Sequence, residues 1–298
     1  MLFPITLSIP KEKICDINIQ KTKILSNLIP GNTSTYIYNT EQEYYNEYQK
    51  SYFAITRKKG GWDCLRHYEI LANRCVPLFI DINECPINTL FLLPKKLLFE
   101  AIDLYNNKFA NKKINELTIE VINEYVILQN KLLEYTKNYL TTDKIAKYIL
   151  QKTNYENVSK ILYLSGDVGP DCLRCLTLHG FKYIFGSDCH DYPKIPHIYK
   201  SQNKNYSNFY GKGMTYTNLL EESVHDVKLD INVVDNIKNK YYDIIIYGSY
   251  HRGMPYYDLI CSIYKPNEII LLCGEDLNGC NSDHNFVNKE HFVFVREM

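Results

Sequence analysis

The sequence predicts an α/β protein of two domains, each built on a parallel sheet, with the two sheets facing each other across a cleft. Three observations carry this expectation. At 298 residues the chain is long enough for two units that each bury a core. Short runs rich in Ile, Leu and Val alternate with stretches whose apolar residues recur at a helical spacing, most clearly over residues 243–273. The polar stretch 153–157 separates two such halves, which places the domains at 1–153 and 158–298.

In the first half, 4–10 reads as a short strand and 23–29 as another, ahead of the turn Pro30-Gly31-Asn32. Thr40 with Glu43 three residues on is a capping box, so a helix runs from there to about residue 50. Residues 52–55 are strand-like and lead into Lys58-Lys59-Gly60-Gly61, where the glycines permit a tight turn. The helix that follows carries Cys64, Leu65, Tyr68, Leu71, Ala72 and Cys75 on one arc. Asp63, Arg66, His67, Glu69, Asn73 and Arg74 occupy the other. A buried strand at 77–82 completes the stretch 56–82, around which the first half is organised. Pro94 suits the first turn of a further helix, 115–140 keeps a helical period, and 142–152 forms a last helix.

The second half begins with a strand at 160–165, the loop 166–170 and a helix to His179 closed by Gly180. A short strand at 183–185 and a polar, irregular excursion over 188–208 come next. Helices are expected at 217–225 and 233–240, a strand at 243–247, a helix at 255–264, a strand at 268–273 and an edge strand at 291–295.

Lys+Arg and Asp+Glu are both 34, so there is no global basic field to hold nucleic acid, and such a partner is not favoured. The ten cysteines lie largely within apolar patterns, which suits reduced, buried thiols and a reducing compartment. No basic segment precedes a long apolar core at the N-terminus, and the apolar runs are far too short to span a bilayer. The expectation is a soluble, cytoplasmic protein without a membrane span.

In parallel sheets, ligands lie outside the carboxyl ends of the strands. That edge carries Asp167, residues 188–191, Ser249, His251, Arg252, Glu275 and Asp276 in the second half, and Lys58, Lys59, Asp63 and Asp81 in the first. Of these, a neutral His251 imidazole can accept a proton near pH 7. His251 and Arg252 equally fit a plain strand end. Cys172 and Cys175 form a C-x-x-C without the flanking Trp or Pro of a redox pair. Cys189, His190, Asp191, His197, Cys280 and His284 match no compact zinc spacing, and Gly211-Lys212-Gly213 lacks the rest of a P-loop.

The stretch GGWDCLRHYEILANRCVPLF resembles part of the two-domain, Rossmann-like (GT-B) glycosyltransferases, the exostosin-like ones above all. There, a Gly loop precedes a helix written E-A-L-x-A-G-C-x-P. Residues 69–77 take those places, with Arg74 at the glycine and Asp63 as an approximate substitute for the family's first acidic residue. The resemblance implies two Rossmann-like domains and transfer of a sugar from a nucleotide-sugar donor, such as a UDP- or GDP-sugar, to a hydroxyl acceptor of unknown kind. It puts Gly60, Gly61 and Arg66 at the donor diphosphate, with Lys58, Lys59 and Asp63 in the same donor site, and Glu69 at the sugar or ribose hydroxyls. Helix N–H groups and these cations would stabilise the leaving diphosphate, so no cofactor and no metal are expected, in keeping with the lack of a D-x-D loop. An inverting transfer also implies a base near the acceptor hydroxyl, with His251 the first choice and Asp167 and Glu275 the other candidates, and it puts Ser249 and Arg252 on the acceptor side. Chains of this kind occur in large DNA viruses, which fits the 27 Tyr and would place the protein in host cytoplasm. Two other readings stay open: a catalytically idle GT-B-like module that binds a nucleotide or partner, and a glycosyltransferase acting on modified nucleic-acid bases.

Overall fold

The computed structural model describes residues 1–201, 205–276, 280 and 284–298. Two sheets organise the chain, and every ladder in both is parallel. The larger runs in the order β1 (Leu2–Pro4), β9 (Phe292–Val295), β8 (Ile269–Cys273), β7 (Ile244–Tyr247), β5 (Ile161–Leu164) and β6 (Cys189–Tyr192). The smaller is β2 (Lys23–Leu25), β3 (Ser51–Thr56) and β4 (Val76–Phe79). Parallel strands need crossover connections that cover both faces, so the inner strands read as unbroken apolar runs. ILYL, IIIY and IILLC in β5, β7 and β8 are buried throughout.

The helices follow the expected rhythm. α1 (Glu41–Gln49) begins in the Thr40/Glu43 capping box, and α2 (Leu65–Ala72) connects β3 to β4. α3 (Lys95–Leu104), α4 (Ile119–Tyr139) and α5 (Thr142–Thr153) lead to β5. α6 (Cys172–Phe185) joins β5 to β6, α7 (Val227–Ile231) and α8 (Val233–Lys238) precede β7, and α9 (Tyr257–Ile263) joins β7 to β8. One apolar cluster runs without a break from Phe53 and Phe79 of the small sheet to Ile161, Ile244, Ile270 and Phe292 of the large one, and a second covers the opposite face of the large sheet. Among the described residues no helix is long and apolar enough to cross a membrane.

Several elements differ from the sequence expectation, each for a local reason. The N-terminal strand lies beside β9, so β1 is the edge strand of the large sheet and the tail strand β9 is interior. Residues 5–9 then carry the chain to the small sheet, with Ile5, Leu7 and Ile9 buried on the way. Gly180 does not end its helix. It sits where α5 and α6 cross, and a Cβ there would run into the Thr142 carbonyl oxygen, so the residue serves close helix packing and α6 continues through 183–185 to Gly186. The strand falls instead at β6, in what reads as a polar excursion. Residues 217–225 hold only a 3-10 turn at Glu222–Val224, because Leu219 and Leu220 donate their amides to the Ile198 carbonyl rather than to a helix. Arg74 itself takes the left-handed conformation that ends α2, at φ 53°, and its Nε donates to the Cys15 carbonyl at 3.0 Å. Cys273 and Cys280 are joined and the other eight cysteines are free thiols, where the sequence suggested no disulfide.

Candidate functional site

The carboxyl ends of β3, β5, β7, β8 and β9 converge on a cleft between the two sheets. A cavity of about 360 Å³ there is bounded by Lys59, Gly60, Gly61 and Asp63 on the small-sheet side and by Asp171, His251, Arg252, Glu275, Asp276 and Arg296 on the other. A narrower cavity of about 200 Å³ opens beside it, lined by Tyr36, Tyr38, Tyr44, Tyr210 and Tyr216 together with Arg66, Glu69 and Lys212. Lys59, Leu65, Tyr210 and Tyr216 belong to both walls, so the two spaces are neighbours along one groove.

The glycine loop is built for close approach, but to the protein itself. Gly60 lies where a Cβ would come 2.7 Å from an Asp276 carboxylate oxygen, and one on Gly61 would collide with Glu297. The Glu297 carboxylate accepts the amides of Trp62 at 3.0 Å and Asp63 at 2.8 Å. Amides expected to be free for a phosphate are therefore filled by a carboxylate from the C-terminus. Both amides lie ahead of Cys64, the N-cap of α2, so Glu297 fills the loop that leads into the helix and not the first amides of the helix itself.

The polar arc of α2 is also turned inward, since all eight residues of the helix are buried. Arg66 donates from Nε to Thr56 Oγ1 at 3.1 Å and from Nη2 to the Arg57 carbonyl at 3.2 Å, and among the described residues it has no carboxylate partner. Glu69 does hold hydroxyls, but they are those of Tyr44 and Thr215, each at 2.6 Å, and burial raises its carboxyl above the usual range. Asp63 accepts the Leu7 amide at 2.7 Å and the Tyr68 hydroxyl at 2.9 Å, and burial pushes it up to about 7. It is a strut between the segment after β1 and α2 rather than an open ligand. Lys58 hydrogen-bonds through its amide to Asp81, rests its ammonium over Trp62 and is not on the cleft wall.

On the large-sheet side, Asp167 is half-exposed, accepts the Gly169 amide at 2.8 Å and lies off the cavity wall. The carboxylate in the cleft is Asp171, the N-cap of α6, which accepts Ser249 Oγ at 2.7 Å and Arg252 Nε at 3.1 Å. Ser249 is thereby spent on Asp171 and does not line the cleft. Burial works against the Asp171 charge, but the Arg174 amide and guanidinium and the Ser249 hydroxyl outweigh it and hold the carboxyl below its usual range. His251 Nε2 lies 3.0 Å from Glu275 Oε1 and 3.8 Å from Asp171 Oδ2. Burial lowers the imidazole's pKa against the pull of both carboxylates, so the ring is neutral near pH 7.

Comparison with protein-family models, curated proteins and solved structures finds no match to this chain. The chemistry of the cleft rests on its own residues.

The other metal and redox candidates separate. His190 bonds Tyr242 and Asp230, His197 Nε2 faces Cys175 Sγ at 3.3 Å, and the thiols of Cys172, Cys175 and Cys189 are pushed up by burial, the last two to about 12. The side chain of His284 lies outside the described residues. Among those residues, His251, Cys273 and Cys280 do come together, with their ligand atoms within 4.8 Å of one another. The sequence reading missed Asp171, Arg296, Tyr210 and Tyr216. Asp171 and Arg296 carried a usable signal, since each follows a parallel strand at its carboxyl end, whereas the tyrosines sit in a segment without periodicity.

Proposed function

We propose that the protein is a nucleotide-sugar-dependent glycosyltransferase of GT-B-like architecture, two Rossmann-like sheets with the reaction in the cleft between them. The observation that carries this reading is the groove itself. A tyrosine-lined cavity, a cluster of cations and a histidine-held carboxylate follow one another along it, at the carboxyl edges of two parallel sheets.

The tyrosine cavity suits a nucleobase, because aromatic faces stack on any base. Lys59 stands where the two cavities meet, with Arg66 on one side and Arg252 on the other, so a diphosphate fits at this junction rather than at the amides that Glu297 covers. The sugar then lies in the larger cavity against Glu275. With Nε2–H of neutral His251 donating to Glu275, the carboxylate is the group that takes the acceptor proton. The freed oxygen attacks the anomeric carbon, and the bond to phosphate breaks with its electron pair leaving on the diphosphate, which the cations stabilise.

A panel of nucleoside diphosphates tests the donor side. A binder at 100 times its Kd raises stability by about 2.7 kcal/mol, which a thermal melt resolves. Lys59→Ala and Arg66→Ala weaken that shift, and Glu275→Gln abolishes sugar transfer while keeping it. No shift with any nucleotide overturns the reading. Binding without turnover favours the idle, nucleotide-binding module, a reading to which the coverage of the loop amides by Glu297 lends weight.

A further inference from the structure

Cys273 ends β8 and, like Cys280, is buried. The two sulfurs and one ring nitrogen of His251 lie within 4.8 Å of one another. A separate observation points to a ligand. His251 Nε2 lies 3.0 Å from Glu275 Oε1, and the tautomer that carries its hydrogen on that side leaves the lone pair on Nδ1. That Nδ1 is buried and, among the described residues, has no hydrogen-bond partner. A buried lone pair without a donor is costly to keep, and an imidazole that donates one N–H to a carboxylate while offering its other nitrogen is the usual arrangement of a metal-binding histidine. Two thiolates and an imidazole select zinc over magnesium or calcium, which prefer oxygen.

We propose that His251, Cys273 and Cys280 form a zinc site when the cysteine pair is reduced, with Glu275 orienting the imidazole. A dithiol reductant passes two electrons and two protons to the pair. The Cys273–Cys280 bond breaks to two thiols, and the reductant's own thiols become its disulfide. Zn²⁺ then displaces both thiol protons to solvent and takes two sulfurs and one nitrogen, leaving a fourth tetrahedral position for water or another donor. Disulfide and metal exclude each other, so the end of β8 and the loop bearing Glu275 have two covalent states. The site stands independently of the sugar-transfer reading.

Cobalt tests it on the full chain. The protein is reduced with a water-soluble phosphine, freed of reductant and titrated with Co²⁺ in the absence of oxygen. A thiolate-to-cobalt charge-transfer band that saturates at one equivalent is expected, absent from the oxidised protein and lost in Cys280→Ser and His251→Ala. Glu275→Gln weakens Co²⁺ binding by about 10–100-fold, as loss of an orienting carboxylate does, and Cys261→Ser, at an exposed thiol, leaves it unchanged. Reduced wild-type protein without the band overturns the proposal, even where a variant fails to fold. So does a band that survives Cys280→Ser, or one of equal strength before reduction.

Discussion

Asp63 and His67, four residues apart, titrate in opposite senses. Both are buried: burial pushes the Asp63 carboxyl from 3.8 up to about 7 and the His67 imidazole from 6.5 down to about 3. Between those limits folded Asp63 holds a proton that the unfolded chain has released, so its contribution to stability falls as pH rises. Folded His67 lacks a proton that the unfolded chain holds, so its contribution climbs over nearly the same window. Every tenfold difference in proton affinity between the folded and unfolded chain corresponds to about 1.4 kcal/mol, and in the wild type the two slopes oppose each other. Asp63→Asn removes one of them. The variant should therefore gain stability relative to wild type as pH rises from about 4 to about 7, read by denaturant unfolding at several pH values; parallel curves would sink the idea. The sequence puts Asp63, Arg66, His67 and Glu69 on one face of a helix, although α2 starts at Leu65 and Asp63 lies just ahead of it. It did not show that this face is internal, because the partners that satisfy it, Leu7, Thr56, Tyr44 and Thr215, come from four other segments.

At the scale of elements, what was legible was periodicity, and what was not was lateral contact. The capping box at Thr40, the long α4 and the apolar β5, β7 and β8 each announce themselves through neighbours in sequence. β6 does not, since CHDY is polar and is held in the sheet by pairing with β5, while Oδ1 of Asp191 meets Lys182 at 2.9 Å and Tyr199 at 2.8 Å. Gly180 is opaque for the same reason: a glycine near a helix end suggests a cap, and only the crossing α5 reveals another use. The two roles predict opposite signs. In a free helix Gly→Ala favours the helical state by about 1 kcal/mol. At this crossing the added methyl meets the Thr142 backbone, which cannot swing aside like a side chain, and overpacking of this sort costs about 1–3 kcal/mol. Gly180→Ala is therefore expected to lower the melting temperature, and a rise would show that α6 is not tightly seated on α5.

For the molecule as a whole, the question is what holds the two sheets at a set distance, because the groove exists only between them. Much of the answer lies in two adjacent residues after β9. Arg296 donates to the Asp63 carbonyl on the small-sheet side, to the Gly274 carbonyl at 2.7 Å and to the Asp276 carboxylate on the other, while Glu297 takes the amides of Trp62 and Asp63. The sequence places Arg296 just past the carboxyl end of β9 but does not show that it and Glu297 reach across to the small sheet. Here they are buried, at 4% and 8% exposure, and so each loses its partners as a unit when replaced. Glu297→Ala leaves two amides without an acceptor, a cost of about 1–3 kcal/mol for an unsatisfied buried group. Glu297→Gln keeps an oxygen for one of them and should cost less. If the clamp sets the width of the cleft, the consequences extend past stability: Glu297→Ala also frees the loop 57–63 from the large sheet, so limited proteolysis should cut there first while both sheets remain folded. Equal resistance of wild type and variant at that loop, with both proteins equally stable, would mean that the continuous apolar core alone fixes the sheets and that the terminal pair merely fills the space between them.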